Sequence, residues 1–375
     1  MRNIYLDNAA STQIRTEVID AITASLSEDF GNPSSVHSFG RNAKNKLEIS
    51  RKKIAKFFNV SAQEIIFTSG ATEANNWILK SAIQSLKIQR IITSKIEHHA
   101  VLHVVEMLQK DCNIQVEFVK IEKNGNIDIS SLVELLSDEI PTLVSLMHVN
   151  NEIGTVLDLK IVAKICKQYG AFFHSDTVQS IGKTKFDLQE FPIDFLVASA
   201  HKFHGPKGVG FLFVRKGLSI NPMFYGGEQE KGLRPGTESL SSIVGMTKAL
   251  EIAILNLDAE TNQIQILKNY MLKQLYENFE GIFILGEATT GFHTILNFIL
   301  PFSPDKTAMI LFYLDMNGIA VSRGSACQSG SVKASHVLAE IVSGEDLMKP
   351  NLRISFSHYN VKADIDSFIE ILKKI

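Results

Sequence analysis

Thr142-Leu143-Val144-Ser145-Leu146-Met147-His148-Val149 places apolar residues at both odd and even positions. A strand with this pattern is buried on both faces, as in a parallel sheet covered by helices on each side. Six other short apolar, β-branched runs surround it: Glu64–Thr68, Arg90–Ser94, Val116–Ile121, Ala171–Ser175, Asp194–Ser199 and Gly208–Val214. Most are separated by segments of helical period, at Thr72–Ser85, Ala100–Gln109, Ser130–Leu136 and Leu159–Gln168. Such alternation predicts an α/β domain with a largely parallel sheet. The last two runs have no helix between them, only His201-Lys202-Phe203-His204-Gly205-Pro206-Lys207, so an antiparallel strand is expected there.

Beyond residue 240 the pattern changes. Long helices are expected at Ile243–Leu257 and Ala259–Phe279. From Gly281, strands at Ile282–Leu285, Thr294–Ile299, Ile319–Ser322 and Leu352–Ser355 mix with helices at Lys306–Met316 and Asp364–Lys374. That mixture reads as a second, smaller α+β domain.

Composition narrows the function. The 375 residues carry a net charge of −2, which gives no electrostatic case for nucleic acid or an anionic membrane surface. Apolar residues at 45% are too plentiful for disorder. Cys112, Cys166 and Cys327 are too few for a disulfide framework, and no C-x-x-C is present. A sparse, odd set of cysteines suits a reducing compartment. Asp7 interrupts the place where a signal peptide would be apolar, and no apolar run approaches the ~18 residues of a membrane span. A cytoplasmic protein is expected.

Ser69-Gly70-Ala71-Thr72-Glu73 follows a strand and opens a helix, where free N–H groups and the positive dipole end would face an anion such as phosphate. The plainer reading is a helix start capped by Ser69 or Thr72. Gly182-Lys183-Thr184 lacks the first glycine of a P-loop, because Thr177 stands there. His98, His99 and His103 hint at zinc, but no Glu lies between the last two and no third ligand is apparent, so no metal is expected. Asp176, at the end of an apolar run, is either a helix cap or the partner of a positively charged ligand atom. Lys202, just past another run, is either a snorkelling surface residue or an amine held for Schiff-base chemistry. A phosphate cradle, an acid for a pyridine nitrogen and an amine for an aldehyde together describe pyridoxal 5′-phosphate (PLP).

At this point the sequence resembles the cysteine desulfurases of the NifS/IscS type, in the class V aminotransferase group. The likeness runs through Tyr5-Leu6-Asp7-Asn8-Ala9-Ala10, Phe67-Thr68-Ser69-Gly70-Ala71-Thr72-Glu73, Glu97-His98, His148-Val149-Asn150-Asn151-Glu152, Asp176-Thr177-Val178-Gln179-Ser180, the Ser199–Gly208 loop, Arg234-Pro235-Gly236-Thr237, Gly324-Ser325-Ala326-Cys327 and Leu352-Arg353-Ile354-Ser355. It implies the PLP-dependent transferase fold of type I. A large domain over 15–257 would carry a mostly parallel seven-stranded sheet, and residues 1–14 with 258–375 would form the smaller α+β domain.

The resemblance also implies roles. Lys202 would hold PLP as a Schiff base, Asp176 would pair with the pyridine nitrogen, and Gln179 and Asn151 would bond near the ring hydroxyl. His98 would stack on the ring. Ala71, Thr72, Ser199 and His201 would bind phosphate, with Thr237 reaching in from the partner subunit of a homodimer. Arg353, with Asn151 near it, would take the substrate carboxylate. Cys327 would attack the sulfur of L-cysteine, leaving a persulfide and releasing alanine. The sulfur would go to an acceptor protein, such as an iron–sulfur scaffold, or to thiolation. A selenocysteine lyase, another β-elimination lyase and a catalytically idle sulfur carrier are the alternatives.

The residues around Cys327 agree with this. They are small and polar, unlike the apolar settings expected for Cys166 and Cys112 as buried small hydrophobes. An unperturbed thiol of pKa about 8.5 is only about 3% thiolate at pH 7, so a base or a lowered pKa is needed. Arg323 and His98 are the candidates. Arg323 departs from the family pattern, which has a small residue there.

Overall fold

The computed structural model of the chain describes residues 3–323 and 335–375. A short strand, β1 (Ile4–Tyr5), precedes two helices, α1 (Thr16–Glu28) and α2 (Ser38–Phe57). Then come β2 (Ile65–Thr68), α3 (Ala71–Ser85), β3 (Arg90–Thr93), α4 (His99–Cys112), β4 (Gln115–Phe118), α5 (Ile129–Leu136), β5 (Thr142–Ser145), α6 (Leu159–Gln168), β6 (Phe172–Asp176), β7 (Phe195–Ser199) and β8 (Gly210–Val214). The C-terminal third holds α7 (Leu240–Leu255), α8 (Leu257–Asn278), β9 (Phe283–Leu285), β10 (Ile295–Ile299), α9 (Thr307–Met316), β11 (Ile319–Ala320), α10 (His336–Ile341), β12 (Asn351–Ser355) and α11 (Lys362–Leu372).

Seven strands form one sheet in the order β2-β8-β7-β6-β5-β3-β4. The four pairings from β7 through β4 are parallel, and β8 runs antiparallel to both its neighbours. The expected antiparallel strand is therefore present. Consecutive residues of each inner strand enter opposite cores. Val144, Phe173, Leu196 and Phe211 pack with α2, α6 and α7 on one face. Leu143, Phe195, Val197 and Leu212 pack with α3 and α4 on the other. Two covered faces explain why these runs do not alternate. Only β4, at the edge, is partly exposed along its length.

Two expectations differ from the structure. The run Thr142–Val149 is not one strand. β5 ends at Ser145, and the chain then follows β6 through bonds from Leu146 N–H to the His174 carbonyl and from His148 N–H to the Asp176 carbonyl. The two long C-terminal helices start and break earlier than expected, with a 72° bend where α7 meets α8. Among the described residues no single helix is long and apolar enough to cross a membrane.

Helix α2 was not legible in the alternation, which starts near residue 60. Its lysines and arginines dilute the apolar stripe, yet Ala43, Leu47 and Ile54 are fully or almost fully buried. His37 caps it, its ring accepting from Gly40 N–H. A separate core unites Ile4 and Leu6 with α8, α9 and α11 and with β10 and β12. The N-terminal segment is stitched to that region: β1 pairs with β11, and Asp7 bridges to Ser355.

Candidate active site

A cavity of about 530 Å³ opens beyond the carboxyl ends of the parallel strands. Ligands of α/β sheets collect at such strand ends, and the volume suits a cofactor with a small substrate. Ten sequence-predicted residues line it: Ala71, Thr72, His98, Asn151, Asp176, Gln179, Ser199, His201, Lys202 and Arg353.

Helix α3 presents its N-terminus to this cavity. Its N-cap is Gly70, with φ of 150° and no side-chain cap. The capping expected from Ser69 or Thr72 is absent, which leaves first-turn amides for an anion. Glu73 does not oppose that anion alone. It accepts from Ser69 and is paired with Arg234 at 2.9 Å, which together hold its carboxyl below the ordinary value against burial. Glycine is required at 210, where a Cβ would lie 2.2 Å from the Ala198 carbonyl oxygen.

Asp176 is the last residue of β6 and is buried. Asn75 Nδ2 donates to its Oδ2 at 2.8 Å, and Val178 N–H donates to its Oδ1 at 3.1 Å. Asp176 thus caps a turn rather than a helix, and it also lines the cavity. Lys202 lies in a 3₁₀ turn directly after β7, and its ammonium donates to the carbonyls of Ala9 and Ala10 at 2.7 and 2.9 Å. Gln179 donates to the same Ala9 carbonyl, while its Oε1 is buried without a partner among the described residues.

His98 caps α4, its Nδ1 accepting from Ala100 N–H at 3.1 Å. A neutral ring therefore carries its proton on Nε2. Burial, with Lys202, His336 and His103 nearby, pulls its pKa down, while Asp176 pulls it up. Burial and three lysines lower His201 to about 4, leaving it a neutral ring. Arg353, at 1% exposure, donates to the Asn151 carbonyl at 2.9 Å and to Asp7 Oδ1 at 2.8 Å.

The remaining sequence expectations fare differently. Thr237 is exposed and outside this chain's cavity lining. Cys327, with Gly324, Ser325 and Ala326, lies outside the described residues. Cys166 is buried on α6 as expected, but Cys112 is exposed, because it ends α4 on the side away from the core. Of the three histidines, His99 stacks on His103 at 4.7 Å and lies tilted against His336 at 4.5 Å, while His98 caps α4.

Sequence reading missed Asn75, Glu97 and the contact of Asp7 with Arg353. Asn75 is fully buried on α3 beside Ala74 and Ile78, a polar residue on an apolar face. Glu97 is 1% exposed, and burial raises its pKa to about 8. Its Oε1 accepts from Ser94 and from Met147 N–H, the latter beside the cavity.

The Aminotransferase class-V family profile matches residues 4–368, so the chain belongs to that family of PLP-dependent proteins. Among curated relatives, the cysteine desulfurase IscS of Dictyoglomus turgidum is 40% identical, over all of this chain and 94% of its own length. A solved NifS-like protein superimposes with a TM-score of 0.92 at 34% identity, covering 100% and 99% of the two chains. A structure described as SspA in complex with cysteine gives a TM-score of 0.81 at 30% identity, over 96% of this chain and all of that one.

The donor set fits PLP. An amine, a carboxylate, a helix N-terminus with neighbouring hydroxyls and a Gln179 oxygen without a partner among the described residues surround one cavity.

Proposed function

We propose that this chain is a cysteine desulfurase that converts L-cysteine to L-alanine and moves the sulfur onto Cys327. The observation that carries this reading is the convergence of Lys202, Asp176, His98 and Arg353 on one cavity in a chain whose relatives bear that name. When bound, PLP supplies an aldehyde for the substrate's amino group and a ring that draws electrons from Cα.

The chain's own residues do the rest. Ala71, Thr72, Ser199 and His201 would hold the phosphate end, and the carboxylate of Asp176 would serve the pyridine nitrogen. Gln179 and Asn151 would bond near the ring hydroxyl, and His98 would cover the ring. The Lys202 amine would attach the cofactor and move the Cα proton. Arg353 takes the substrate carboxylate, for which a planar fork of N–H donors is suited. Cys327 attacks the substrate sulfur: its S–S bond forms as the substrate's C–S bond breaks, so thiol plus cysteine gives persulfide plus alanine.

The working unit in this reading is a cytoplasmic homodimer that hands sulfur to an acceptor protein for iron–sulfur cluster assembly or thiolation. Supporting the dimer, Phe30 and Phe39 are exposed with rings 5.1 Å apart, and Val36 between them is 87% exposed. An apolar patch of this kind is normally covered by a partner. Thr237, exposed here, would then serve the neighbouring cavity.

The test is product balance. Holoenzyme given L-cysteine and dithiothreitol should release alanine and sulfide in equal amounts, and Cys327→Ser should release neither. Pyruvate in place of alanine would make the chain a β-elimination lyase.

A further inference from the structure

Asp7 has no part in the chemistry above, yet it holds the group that does. The Arg353 guanidinium has five N–H donors. One goes to the Asn151 carbonyl and one to Asp7 Oδ1. Nε is buried with no partner among the described residues, although Arg353 lines the cavity. Among the described residues, N–H donors of this guanidinium therefore remain for an incoming carboxylate.

Asp7 is itself fixed. Its backbone bridges Ser355, two residues beyond Arg353 on β12, with Ser355 N–H bonded to the Leu6 carbonyl and Asn8 N–H to the Ser355 carbonyl. The Tyr5 hydroxyl lies 3.1 and 2.8 Å from the carbonyl oxygens of Asp7 and Ser11. A few residues on, Ala9 and Ala10 present the carbonyls that receive the Lys202 ammonium. One short segment thus touches both the arginine and the lysine.

We propose that Asp7 is the positioning residue of the carboxylate site: it aims the Arg353 guanidinium so that the remaining N–H donors meet the substrate. This rests on the reading of Arg353 as the group that takes the substrate carboxylate. An arginine on a long flexible stem loses much rotamer freedom when a ligand must fix it. Asp7 fixes it beforehand. The charge of Asp7 works against a second carboxylate, so aiming and charge have opposite effects and can be separated by substitution.

The experiment titrates holoenzyme, through its visible band, with L-alanine and with L-alaninamide, which lacks the carboxylate. Native protein and the Asp7→Ala, Asp7→Asn and Arg353→Ala variants are compared. Asp7→Ala should weaken L-alanine binding about tenfold, the scale of one charge-assisted hydrogen bond. Its L-alaninamide binding should stay native, and its turnover should show a raised KM with kcat nearly unchanged. Asp7→Asn keeps an acceptor at Oδ1 and removes the opposing charge, so it should match or exceed the native preference for L-alanine. Should Asp7→Ala not fold, Asp7→Ser, too short to reach the guanidinium, carries the same expectation. Native preference in the shortened variants, with preference lost in Arg353→Ala, would overturn the role of Asp7 and leave the arginine reading intact. Preference lost in Asp7→Asn, although the acceptor is kept, would also overturn aiming. Preference kept in Arg353→Ala would overturn the arginine reading itself.

Discussion

The two walls of the cavity are built differently. The cofactor wall comes from neighbouring strand ends of one sheet: Asp176 closes β6, Ser199 closes β7, and Lys202 follows within one turn. The substrate wall joins Asp7 to Arg353, which are 346 positions apart. On the first wall, ladder hydrogen bonds between adjacent strands fix each side chain's position, and the doubly covered sheet makes those ladders rigid. On the second, position depends on the N-terminal segment finding the C-terminal sheet. In the proposed function, the chemistry sits on the first wall and substrate choice on the second.

Substitutions on the two walls should separate accordingly. Lys202→Ala removes the amine itself and should reduce turnover by at least about 10⁴-fold, the upper range for a positioned proton-transfer group. Steady-state alanine formation measures this, and residual activity above about one-hundredth of native would break the assignment. Asp176→Asn should cost about 10²–10³-fold in kcat, as for loss of one preorganised electrostatic group, with L-alanine binding little changed. Arg353→Ala should do the reverse, weakening L-alanine binding about thirtyfold or more while PLP stays bound. If Arg353→Ala releases PLP instead, the two walls are not functionally distinct.

The smallest effect concerns stability. Burial raises Glu97 from 4.5 to about 8 in the folded chain, so between these values the folded state holds a proton that the unfolded state has lost. Stability from this group is fully present below the unfolded value and falls as pH rises toward about 8. Glu97→Gln keeps an Oε1 acceptor for Ser94 and Met147. Its melting temperature should therefore gain on the native one as pH rises through that window and level off above it. A constant difference across the window would place the titration elsewhere.

The cofactor wall was legible in the sequence because each of its residues closes an apolar run, and a polar residue at that position needs a reason. Asp176 and Lys202 could be read this way from local sequence. The motif carrying Asp7 could be quoted, but its partner could not, because pairing over 346 positions leaves no local signal. Asn75 was hidden for a different reason: a buried asparagine inside a helix looks like any other helical polar residue until its partner, Asp176, is seen. The early end of β5 has a similar origin, since Leu146–Val149 remain apolar while the chain turns along β6.

Lys202 stands where the two walls meet, just beyond β7 and bonded to the segment that carries Asp7. Borohydride reduction of the holoenzyme, followed by digestion and peptide mapping, tests that placement directly. A single phosphopyridoxyl label on Lys202 is the expected result. A label on Lys207, which also lines the cavity, or on Lys183 would contradict it.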